Sequence, residues 1–85
     1  MTQVSARLRV LRDELSMIDE QLAQLVEEAD DLALRALVAE TPSASYESND
    51  ARKHADAMRR HREHVVGEIT RLEARQDELL DRLTS

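Results

Sequence analysis

The sequence predicts an all-α protein, an antiparallel two-helix coiled-coil hairpin that dimerises into a four-helix bundle. Three observations carry this. The 85 residues include one Tyr, no Phe, no Trp, one Gly and one Pro, so the chain is poor in strand formers and rich in Leu, Ala, Arg and Glu. Apolar residues recur at alternating spacings of four and three in two long runs, as a coiled-coil seam requires. The one proline, Pro42, stands between those runs.

The first run reads Val4, Leu8, Leu11, Leu15, Ile18, Leu22, Leu25, Ala29, Leu32, Ala36, Ala39, with no polar member. Held over about five heptads, such a period keeps one stripe of a helix turned toward a neighbour. It predicts a first helix over about 3–40. Glu40-Thr41-Pro42-Ser43-Ala44-Ser45 then breaks the pattern, and a turn is expected over about 41–46, because proline lacks an amide hydrogen and Thr and Ser favour helix caps. The second run predicts a helix over about 47–83: Ser48, Ala51, Ala55, Met58, Arg62, Val65, Ile69, Leu72, Gln76, Leu79, Leu83. Arg62 and Gln76 interrupt it as candidate buried polar residues of the seam. Glu27, Glu28 and Glu63 are the expected partners of Arg62, and such residues often fix register or oligomeric state.

Residues 1–85 form one domain. A reversal near Ser43 sets seam against seam, pairing Leu8 with Leu79, Leu15 with Leu72, Ile18 with Ile69, Leu22 with Val65 and Ala29 with Met58. The same register places Glu27 and Glu28 opposite Arg59 and Arg60.

A domain this small buries only about 60% of its unfolded surface, and two helices share a single seam. Val26, Ala33, Leu34, Leu37, Val38 and Val66 fall off the seam and mark a second packing surface near the turn. The expected partner is a second copy, giving a homodimer, or another protein for which the hairpin is an adaptor or regulatory module.

Other classes of function find little support. The net charge of −6 opposes a phosphate backbone, and the basic stretch from Arg52 to His64 lacks aromatic residues for stacking, so nucleic acid is not an expected partner. No apolar run reaches membrane-spanning length, and the amino end shows no signal-peptide core; no membrane association and a cytoplasmic location are expected. With no cysteine, neither a disulfide nor a thiolate metal site is available. His61 and His64 share a helix face as metal ligands can, but arginines flank them and no third ligand is evident. No nucleophile–base spacing and no phosphate-binding glycine loop appear, so no cofactor, metal or catalytic residue is assigned and the chain is read as non-enzymatic.

Two resemblances supply alternatives. Leu11-Arg12, Leu15-Ser16, Ile18-Asp19-Glu20, Leu22, Leu25, Glu28 and Leu32-Ala33 resemble the first helix of the all-helical chorismate mutases, over about a quarter of the chain. The resemblance implies that Arg12 binds a substrate carboxylate, but the family's next two cationic positions fall on Ala29 and Glu40. In size and helical pairing the chain is also similar to the hairpin substrates of type VII secretion systems. Tyr46-Glu47-Ser48-Asn49-Asp50 has the spacing of that family's export signal, though it lies beside the turn and the family's Trp-x-Gly turn is absent.

Overall fold

The computed structural model describes residues 2–84, which form two α-helices: α1, Thr2–Ala39, and α2, Pro42–Thr84. They pack side by side as an antiparallel hairpin, a rod of 66 × 15 × 14 Å. At about 1.5 Å per residue, helices of 38 and 43 residues account for that length.

The connection is shorter than the 41–46 segment that the sequence pattern indicates: among the described residues, only Glu40 and Thr41 lie outside the helices. Both ends are capped by local chemistry. Glu40 takes φ 53°, in the left-handed region, and its amide donates to the carbonyl of Ala36 at 3.1 Å, which closes α1 in an αL cap. Thr41 then caps α2. Its Oγ1 accepts the amide of Ala44 at 3.3 Å and its carbonyl accepts the amide of Ser45 at 3.2 Å. Pro42 occupies the first helical position, where its missing amide hydrogen costs nothing and its fixed φ suits a helix. Proline therefore starts the second helix here, and Ser43 to Tyr46 belong to it.

This tight reversal shifts the register by one heptad. Two cross-helix bonds fix it: Gln76 Nε2 donates to Ser5 Oγ at 3.1 Å, and Arg62 Nε donates to Asp19 Oδ1. Val4 is thus level with Gln76, Ile18 with Arg62, Leu8 with Leu72 and Leu11 with Ile69. The pairings of Leu8 with Leu79 and Ile18 with Ile69 do not form. Both registers set seam against seam, since a slide of about seven residues restores the same apolar stripe.

Polar groups flanking the seam discriminate between the two. Besides those two bonds, Arg7 pairs with Glu68 at 3.4 Å and Arg12 with Glu73 at 3.3 Å. Slid by a heptad, Arg7 would face Arg75, Arg12 would face Leu80, Asp19 would face Ile69 and Ser5 would face Leu83. Every one of these polar contacts would be lost, and one would become repulsive. Each exposed ion pair is worth under about 1 kcal/mol alone, but the set acts against the same alternative.

The core lies toward the chain ends. Leu8, Leu11, Ile18, Val65 and Ile69 are buried together, with Val4, Leu15, Met58 and Leu72 packed against them. Toward the turn the seam of α2 narrows to Ala55, which is buried, Ala51 and Ser48, level with Leu25, Ala29 and Leu32. The one-heptad shift also carries the end of α2 past the start of α1, so Leu83, a seam residue by its spacing, is exposed.

Candidate interaction surface

Arg62 and Gln76, which interrupt the α2 seam, are half-buried and bonded across to α1. Arg62 reaches Asp19, not Glu27, Glu28 or Glu63, because in the observed register Asp19 is the acid beside its layer. The Arg62 side chain is 41% exposed, in keeping with the habit of long cationic side chains to bury an apolar stem and keep the charged head in water. Gln76 repeats the device two heptads away with Ser5. The proposed match of Glu27 and Glu28 with Arg59 and Arg60 is not formed; Arg59 pairs with Asp56 at 2.8 Å on its own helix.

The off-seam apolar residues separate into two groups. Val26, Ala33 and Val66 line the edge of the seam, half-buried. Leu34, Leu37 and Val38 stand on the outer side of α1 near the turn, 64%, 75% and 86% exposed. Their i, i+3, i+4 spacing brings these three onto one face of the last turns of α1, beside Arg35 and Ala39. Val66 belongs to the other half of the rod, level with Glu14 and Leu15. Tyr46, which was read as part of the turn, projects from the outer side of α2 at the same level as Leu34 and is 78% exposed.

Charge on the outermost row of each helix is opposite in sign, Glu20 and Glu27 on α1 against Lys53 and Arg60 on α2. From Asp13 to Leu34, α1 carries acidic residues and no Lys or Arg, whereas the level stretch of α2 mixes Arg52, Lys53, Arg59, Arg60 and Arg62 with Glu47, Asp50, Asp56 and Glu63. Part of this charge is neutralised locally, in Arg35–Asp31 at 3.1 Å and Arg59–Asp56. Glu20, Glu27, Lys53 and Arg60 are exposed, and none of them forms an ion pair among the described residues.

The histidines do not converge. His64 Nε2 lies 3.1 Å from Glu68 Oε1 and His54 Nε2 lies 3.5 Å from Asp50 Oδ2, each on its own helix. Among the described residues no group of three or more His, Asp or Glu side chains is arranged to hold a metal ion. Arg12 lines a shallow, open recess with Ser5, Arg9, Asp13 and Gln76, and its guanidinium is engaged by Glu73. Tyr46 through Asp50 lie in the first turns of α2. Among the described residues no helix is long and apolar enough to cross a membrane. Comparisons with protein-family models, with curated proteins and with solved structures gave no match. What the fold and the surface define is a two-helix antiparallel hairpin whose outer sides carry apolar residues and unpaired charge.

Proposed function

We propose that this protein is a non-catalytic, coiled-coil interaction module that works by associating with further copies of itself, the smallest product being a four-helix homodimer of two hairpins in the cytoplasm. The observation that carries this is the surface left uncovered. The hairpin exposes 6527 Å², about 1,400 Å² more than a compact monomer of its mass is expected to show. A stable protein–protein interface removes about 800 Å² from each partner, so one contact along the rod fits within that excess. Leu34, Leu37, Val38 and Tyr46 supply an apolar part of it at the turn end, and Val10, Met17, Leu80 and Leu83 are exposed toward the chain ends. A cysteine-free sequence suits a reducing compartment.

Sedimentation velocity across a concentration series tests the reading. The expected result is a weight-average mass that rises from 9.7 kDa toward twice that value and beyond with concentration. A constant mass of one chain up to high micromolar concentration rejects it.

A further inference from the structure

Resting on that self-association reading, we propose which surfaces meet: the outer side of α1 in one copy against the outer side of α2 in the next, side by side, with both turns at the same end. Three residues one heptad apart lie on the outer side of α1, diametrically opposite the seam, in the order Glu20, Glu27, Leu34 toward the turn. Three more occupy the equivalent row of α2, in the order Arg60, Lys53, Tyr46 toward the same turn. All six are exposed. The observed register makes the rows level: Glu20 stands at the height of Arg60, Glu27 at that of Lys53 and Leu34 at that of Tyr46.

A second hairpin brought alongside with its turn at the same end therefore meets acid with base twice and leucine with tyrosine once, without any sliding. None of these four charges has an ion pair inside the hairpin among the described residues, so a neighbour gains their pairing without breaking a bond in the fold. Turning the neighbour end for end removes Tyr46 from Leu34 and takes Glu20 and Glu27 away from Arg60 and Lys53. A second copy is thus the occupant whose charge order and apolar position match the surface.

The geometry has a further consequence. The two complementary surfaces lie on opposite edges of one hairpin, so the contact is heterologous. A pair of hairpins forms a row of four helices that still presents a free Glu20 and Glu27 row at one side and a free Lys53 and Arg60 row at the other. Further copies add to the same edges, and association is open-ended, with no closed dimer as its limit.

Charge exchange provides the test. One variant carries Glu20→Lys and Glu27→Lys, which makes both of its outermost rows basic; the other carries Lys53→Glu and Arg60→Glu, which makes both rows acidic. All four positions are exposed, so circular dichroism should show each variant as helical as the wild type. Each alone is expected to be monomeric where the wild type associates, and an equimolar mixture is expected to regain association. Wild-type association should also weaken at least about tenfold between about 50 mM and 500 mM NaCl, as exposed charge pairs are screened. Should either reversal unfold the chain, the neutral pair Glu20→Gln and Glu27→Gln replaces it, with at least about tenfold weaker association expected. A wild type that stays monomeric overturns the self-association reading and this one with it, and leaves the two rows to a different protein. A wild type that associates while both reversed variants associate equally, or a mixture that fails to recover, overturns the proposed surfaces alone.

Discussion

Replacing Glu40 by glycine should stabilise the hairpin. Glu40 is the residue that closes α1, and its φ of 53° puts a side-chain-bearing residue in the left-handed region. That conformation costs an L-residue about 1–2 kcal/mol, because Cβ crowds the following carbonyl. Glycine escapes the clash but loses about 0.5–1 kcal/mol more chain entropy on folding. Its substitution also removes a carboxylate from the negative end of the α1 dipole, worth about 0.3–1 kcal/mol. The net gain is about 1 kcal/mol, which for a domain of this size raises Tm by about 4–8 °C. Thermal melting followed by far-UV circular dichroism measures it, at one fixed low protein concentration because association shifts Tm on its own. Glu40→Ala is the control that separates the two contributions. It removes the charge and keeps Cβ, so it should recover no more than the dipole part. If the glycine variant melts no higher than the alanine variant, the left-handed closure at residue 40 is wrong, and the two-residue turn and the register built on it fall too.

Other expected outcomes follow from packing and from the flanking charges. Ile18→Asp should abolish cooperative melting, since it places a carboxylate in the buried cluster at a cost comparable with the roughly 5 kcal/mol of a marginal domain, whereas Gln24→Asp on the exposed side should leave Tm nearly unchanged. Gly67→Ala should raise stability by up to about 1 kcal/mol, read as Tm, because a Cβ there meets only Arg71 Nη1 at an ordinary 3.5 Å and the helix gains a better former. Arg62→Leu should retain helicity but loosen the register. In a chain without native cysteines, spin labels at Cys-substituted Arg9 and Arg75 would report a second, slipped distance population in Arg62→Leu and a single one in its parent.

The helices, their pairing and the phase of each seam were legible in the sequence because apolar spacing reports directly which side of a helix is buried. The register was not, for a physical reason: a heptad pattern is unchanged by a slide of one heptad, so Leu8 finds a leucine at 72 and again at 79. The information that resolves it lies off the seam. Arg7, Arg12, Ser5 and Asp19 have complementary partners on α2 in one register and lose them in the other. Thr41-Pro42 also contained the correct turn. Read as an N-cap followed by the first helical position, it places the start of α2 at 42; read as a breaker, it lengthens the turn by several residues and moves every pairing. Of the interaction surface, Leu34, Leu37 and Val38 were recognisable as surplus apolar residues. Tyr46 was hidden by its assignment to the turn, and the level charge rows became visible only once the register was known.

The placement of the core bears on how the hairpin folds. The connection is only two residues long, so the entropy of closing the chain is smallest beside Glu40 and Thr41 and rises toward the ends. A hairpin zipped from that point first meets alanines and Ser48, which return little, and reaches Leu11, Leu8 and Ile69 last. The segments easiest to bring together are therefore the least rewarding, while the bond between Ser5 and Gln76 joins residues 71 positions apart. Partly zipped forms are poor in burial, and the chain should pass between unfolded and folded without a stable half-closed state. Truncating either end should then unfold the whole rod and not merely shorten it.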